Sequence, residues 1–288
     1  MTTDLLKKVR KVEIKTRGLS KQIFSGEYHS AFKGRGMAFS EVRDYMPGDE
    51  IRTIDWNVTA RFNSPFVKVF EEERELTVML LVDVSGSEQF GTRKQLKQDL
   101  ITELCAVLAF SAIQNNDKTG IIFFSDKVEK FIPPKKGKTH ILRIIRELIE
   151  FKPENKQTDI AEGVRYLSQV IKKRCITFLI SDFKDMPGKY EKPLQIANRK
   201  HDFVALNIHD HHENELPNLG LVCMQDNETG ENRWVNTASK KVRKEFKIDA
   251  LRHRDETEKV LKRAGVDFAN LSTHESYITP LLNLLKRR

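Results

Sequence analysis

The spacing of apolar residues changes near residue 77. Upstream, residues 5–21 place Leu5, Leu6, Val9, Val12 and Ile14 among lysines and arginines, which predicts an amphipathic helix. Residues 26–65 are rich in Gly, Arg and Asp with little periodicity, and read as an ordered but irregular segment. Residues 66–75 alternate and predict a strand. From Thr77 onward, short apolar runs alternate with helical periods. The runs predict strands at 78–83, 119–124, 175–181, 202–208 and 266–271, with a short edge strand at 128–132 before Pro133-Pro134. Helices are expected at 93–114, 139–150, 159–171, 190–199, 238–264 and 279–286, and a hairpin over 221–235 turning at Glu228-Thr229-Gly230-Glu231.

Strands alternating with helices predict a mostly parallel α/β sheet, three-layered and doubly wound, with helices on both faces. The chain divides into an N-terminal extension packing on the core (1–76) and the α/β domain (77–288). In such folds, ligands bind beyond the carboxyl ends of the strands where strand order reverses.

Composition trims the alternatives. At 288 residues, 39% hydrophobic and 32% charged, the chain has ample material for a core. No apolar stretch reaches membrane-spanning length, and Leu5-Leu6-Lys7-Lys8 is not followed by the apolar region of a secretory signal, so a soluble, cytoplasmic protein is expected. Cys105, Cys175 and Cys223 are too far apart for a metal pair or a disulfide framework. The net charge of +9 raises nucleic acid as a partner, but the basic residues are mixed with acids and not interleaved with aromatics, so solvated helix faces explain them better.

The chemistry concentrates where the first core strand ends. Val78-Met79-Leu80-Leu81-Val82 runs into Asp83-Val84-Ser85-Gly86-Ser87, placing one carboxylate and two hydroxyls at alternate positions of a strand-end turn. Such a set suits hard cations: Mg²⁺, Mn²⁺ or Ca²⁺. Two further segments supply matching oxygens: Thr158 opens a helix, and Asp182 ends another core strand. The alternative for Asp83, Ser85 and Ser87 is a turn that caps the next helix.

This order of residues resembles the metal-ion-dependent adhesion site of von Willebrand factor A domains. The likeness implies a metal held by Asp83, Ser85, Ser87, Thr158 and Asp182, with an open position for a partner's carboxylate. Where that family often has glycine before the threonine, this chain has Lys156-Gln157. A second block, Gly34-Arg35-Gly36-Met37-Ala38-Phe39-Ser40-Glu41-Val42-Arg43-Asp44-Tyr45, then Pro47-Gly48-Asp49, Arg52 and Ile54-Asp55-Trp56, is very similar to the signature of the bacterial DUF58 family. That resemblance implies a von Willebrand A / Rossmann-like domain behind the block. It also implies a role as adaptor for a MoxR-type AAA+ ATPase, or contact with its client.

Read physically, Pro47-Gly48 suits a type II turn, and Arg43 and Arg52 have Asp44, Asp49 and Asp55 within reach for bidentate pairs. The block is expected to pack Tyr45 and Trp56 on the sheet domain, with a partner surface as the alternative. Gly34-x-Gly36 lacks the third glycine of a dinucleotide loop and follows no clear strand. His209-Asp210-His211-His212-Glu213 has the wrong spacing for a zinc pair and reads as a solvated loop on the same sheet edge. Ser85 lacks the surroundings of a nucleophile. A non-enzymatic interaction module is therefore expected. The rival readings are a metal-assisted hydrolase, for which Asp159 is the least poor general base, and a basic nucleic-acid binder.

Overall fold

A computed structural model describes residues 9–16, 37–62, 64–72, 76–86, 96–225 and 231–288. Leu5, Leu6, Gly34, Gly36, Ser87 and the tip of the expected hairpin lie outside these residues.

The first helix covers residues 9–16 (α1). Strand β1 (Met37–Asp44) pairs antiparallel with β2 (Phe66–Glu72), and a short helix, α2 (Trp56–Phe62), lies between them. The irregular segment expected at 26–65 is therefore partly regular. The register of β1 shifts between Phe39 and Glu41, and this bulge interrupts the period-two signal that would have shown the strand.

The main sheet contains β3 (Thr77–Asp83), β4 (Lys118–Phe124), β5 (Val128–Lys135), β6 (Ile176–Ser181), β7 (Asp202–His209) and β10 (Asp267–Ser272), in the order β10-β7-β6-β3-β4-β5. All neighbouring pairs are parallel except β4–β5. Strand β5 runs on through Pro133 and Pro134, past its expected end. Its edge position and the register shift opposite Gly120 make this possible, because a residue that faces outward or lies in a bulge needs no ladder N–H. The remaining helices are α3 (Lys97–Gln114), α4 (Lys138–Glu150), α5 (Ile160–Val170), α6 (Pro187–Lys200), the one-turn α7 (His211–Asn214), α8 (Lys240–Arg263) and α9 (Ile278–Lys286). Strands β8 (Leu221–Gln225) and β9 (Asn232–Asn236) form the hairpin.

Alternation along β3 creates the three layers. Val78, Leu80 and Val82 face one core with Leu104 and Leu108 of α3 and Leu281 of α9. Met79 and Leu81 face the other, with Val164 of α5, Leu194 of α6 and Leu261 of α8. Each such side chain contributes about 1.5–3 kcal/mol on burial. Helix α3 is buried on nearly every side, because Ala106, Ala109 and Phe110 also pack under Ile141 and Ile145 of α4 and Val9 of α1.

Cys105 and Cys175 are buried and Cys223 is exposed. Buried His201, at the end of the sheet away from the carboxyl edge, lies 3.3 Å through Nδ1 from Cys175 Sγ. Burial first, then Lys200 and Arg174, lower its pKa to about 4 from 6.5. The native state thus refuses a proton that the unfolded chain takes up. The stabilisation is complete above pH 6.5 and is lost as pH falls towards 4, by about 3 kcal/mol. Urea midpoints at pH 7 and 4.5 are expected to differ less in His201→Phe than in the wild type.

Candidate metal centre

With β3 counted as the first strand of the main sheet, the order reads 3-2-1-4-5-6, and the reversal falls between β3 and β6. Asp83 ends β3, while Ser181 ends β6 and is followed at once by Asp182. All three are buried. Ser181 Oγ donates to Asp83 Oδ2 at 2.7 Å and accepts from the Phe183 N–H at 3.0 Å, stitching the two strand ends together. The Ser85 N–H donates to Asp83 Oδ1 at 2.9 Å, fixing the turn.

The third segment closes on these two. The Gly86 N–H donates to the Lys156 carbonyl at 2.9 Å, bringing the loop before Thr158 against the Ser85 turn. Among the described residues, positive φ at non-glycine positions occurs at Asn116 and Phe183, so Lys156 and Gln157 close this loop with ordinary backbone. Asp159, just beyond Thr158, caps α5 by accepting from the Glu162 N–H at 2.9 Å. Asp159→Ala is expected to cost about 1 kcal/mol in denaturant unfolding, with Asn restoring most of it.

The two carboxylates differ in charge environment. Burial, then the charge of Asp182, pushes the Asp83 carboxyl up to about 7, against hydrogen bonds from Ser181 and Ser85. Among the described residues no cationic side chain touches Asp83. Burial also disfavours the charge on Asp182, but Lys97 and Lys184 outweigh it and hold its pKa below the usual range. Lys97 is fully buried; its Nζ lies 2.8 Å from Asp182 Oδ2 and 2.7 Å from Glu213 Oε1. Lys184 reaches the same Glu213 oxygen at 2.5 Å.

An all-oxygen set around a buried carboxylate raised by a like-charged neighbour fits a hard divalent cation, which would relieve both costs. Asp83, Ser85, Thr158 and Asp182 lie on three touching segments. Besides Lys97 and Ser181, the sequence reading missed Asp185, whose carboxylate accepts from the N–H groups of Ile160 and Met186 and so ties the start of α5 to α6. A lone lysine on the apolar face of α3 was the available signal for Lys97. Phe183, in the left-handed region at φ 55, turns the chain directly after Asp182, a conformation that costs a bulky residue energy.

Two expectations are corrected. The His209–Glu213 segment is not a solvated loop: Asp210 is fully buried and forms a capping box with Glu213, and Glu213 joins the Lys97 network. Among the described residues no group of three or more His, Cys, Asp or Glu side chains is arranged to hold a metal. Trp56 does not pack on the sheet domain; it is 67% exposed, while Tyr45 is half-buried. Among its described residues, the rest of the signature block is held locally. Arg43 and Asp49 form the bidentate pair, at 2.8 and 2.7 Å. Gly48 takes φ +110 in a turn closed by the Asp49 N–H on the Met46 carbonyl. Asp55 caps α2 and pairs with Lys68, and Arg52 lies in the single turn Ile51–Thr53. Arg43→Lys is expected to lower thermal stability slightly and loosen this turn, read as faster amide exchange at Asp49, because lysine cannot make the two-pronged contact.

The molecule is thus a doubly wound α/β protein with a carboxylate pair at its topological switch. It belongs to the family described as "Protein of unknown function DUF58", whose model matches residues 41–256. It is 27% identical over 282 residues to the uncharacterized protein Rv1480 of Mycobacterium tuberculosis, covering 97% of this chain and 88% of that one. Among solved structures, an aerotolerance-related membrane protein from Bacteroides fragilis shares the fold at a TM-score of 0.53 and 13% identity, over 74% of this chain and all of that one. A von Willebrand factor type A protein from Catenulispora acidiphila aligns at a TM-score of 0.43 and 10% identity, over 77% of this chain and 43% of that one. Among the described residues no helix is long and apolar enough to cross a membrane.

Proposed function

We propose that this chain is a non-enzymatic, cytoplasmic interaction module that docks a protein partner through a divalent metal. Asp83, Ser85, Ser87, Thr158 and Asp182 would hold Mg²⁺, directly or through water, with Mn²⁺ or Ca²⁺ as substitutes. Bound metal would supply a Lewis-acidic position for a carboxylate of the partner. The observation that carries this reading is Asp83: a buried carboxylate at the sheet's switch point, tied to Ser181, raised by Asp182, and without a cation among the described residues. The partner is a MoxR-type AAA+ ATPase or its client, as the family signature implies. Beside Asp182 lies an open cleft of about 360 Å³ lined by groups of both signs, among them Lys184, Arg254, Glu213 and Asp249, which leaves room for a partner segment at the site.

The test is recovery of partners on the full chain and on Asp83→Ala, with Mg²⁺ or EDTA. Loss of the same partner in the variant and in EDTA is expected; equal recovery in all arms would overturn the metal bridge.

A further inference from the structure

A buried ammonium already sits at this carboxylate pair. Lys97 is the first residue of α3 and points into the core with none of its side chain exposed. Burying a lone ammonium is very costly, so it persists only where anions meet it. Here they come from two separate segments: Asp182 beyond β6, at 2.8 Å, and Glu213 in α7 beyond β7, at 2.7 Å. Glu213 is itself fixed, because its Oε2 accepts from the Asp210 N–H at 2.9 Å in the capping box. Lys184 bridges the same two anions from the outer side, at 3.6 and 2.5 Å. Asp182 is therefore shared by two lysines, whereas Asp83 touches no cation among the described residues.

This asymmetry has a consequence for any divalent ion. An ion held by Asp83 and Asp182 must work against an ammonium bound to one of its own ligands. In a buried setting the repulsion of two cations is poorly screened. An ion that draws Asp182 away also takes from Lys97 one of the anions that meet it, and shifts the ammonium towards Glu213.

We infer that Lys97 is the resident counter-ion of this centre: it competes with the divalent cation for Asp182, and its exchange links metal occupancy to the α7 turn through Glu213. The inference rests on the metal reading above and adds the residue that sets the affinity and the segment that responds. The charge of Lys97, not its shape, governs the competition. A neutral side chain is expected to tighten metal binding and an arginine to leave it weak.

The test is Mn²⁺ binding to the full chain, followed by electron paramagnetic resonance, in wild type, Lys97→Gln, Lys97→Arg and Asp83→Asn. Lys97→Gln is expected to bind Mn²⁺ at least tenfold more tightly than wild type, Lys97→Arg about as wild type, and Asp83→Asn not at all. A second readout needs no variant: Mg²⁺ is expected to speed amide exchange over residues 210–215 of the wild type, and so carries the test if Lys97→Gln does not fold. Asp83-dependent binding that Lys97→Gln leaves unchanged, or unaltered exchange at 210–215 under saturating Mg²⁺, overturns the role of Lys97 and leaves the metal reading standing. No Mn²⁺ binding to either wild type or Lys97→Gln overturns the metal reading, and the role of Lys97 with it.

Discussion

Saturating Mg²⁺ is expected to stabilise the wild-type protein and to do nothing for Asp83→Asn. A ligand that binds only the folded state adds RT ln(1 + [L]/Kd), about 2.7 kcal/mol at a hundredfold excess over Kd. The folded state alone brings the donors together: Asp83 from β3, Asp182 after β6 and Thr158 before α5 are far apart in sequence and meet through the Ser181–Asp83 and Gly86–Lys156 contacts. Asparagine keeps the shape and an acceptor for the Ser85 N–H but removes the charge. Because burial and Asp182 push the Asp83 carboxyl up to about 7, that charge is a cost in the metal-free state at neutral pH. Asp83→Asn is therefore expected to unfold no more easily than wild type without metal, yet to lose the Mg²⁺ response in thermal melts. A variant that still responds would place the cation elsewhere.

The second large effect is expected from Gly163→Ala. A Cβ at Gly163 of α5 would stand 2.9 Å from Cγ of Phe124 and 3.1 and 3.2 Å from two other ring carbons. Phe124 cannot retreat: it is fully buried at the end of β4, and its carbonyl accepts from the Val84 N–H, one residue past Asp83. Helix α5 must then ride up, carrying Thr158 and Asp159 at its start away from the Ser85 turn. Overpacking of this kind costs about 1–3 kcal/mol, offset by up to about 1 kcal/mol of helix propensity. Denaturant unfolding is expected to show the net loss, with a weaker Mg²⁺ response in the same variant. Gly188→Ala in α6, where an added Cβ meets nothing within 4 Å, is the control and is expected to be near neutral.

The doubly wound sheet was legible because its central strands are buried on both faces and read as unbroken apolar runs such as Val78–Val82. Asp83 and Asp182 stood out because a carboxylate ending such a run has no packing reason to be there. Strand β1 was hidden by its bulge, and the end of β5 by two prolines that an edge position tolerates. Lys97 and Glu213 were missed for a different reason. Sequence alone treats a lysine in a helix and a glutamate in a His-rich turn as solvated, and only the fold brings them within 2.7 Å of each other in the core. The exposure of Trp56 was misjudged because a large aromatic was assigned to packing, whereas the Arg43–Asp49 clasp and the Asp55 cap hold the block without it.

The most direct measurement is anomalous scattering from crystals of the full chain soaked in Mn²⁺. A single peak about 2.1–2.3 Å from an Asp83 carboxylate oxygen and the Ser85 hydroxyl is expected. A peak at another cluster, or none at Asp83 under saturating Mn²⁺, would contradict the metal-docking function.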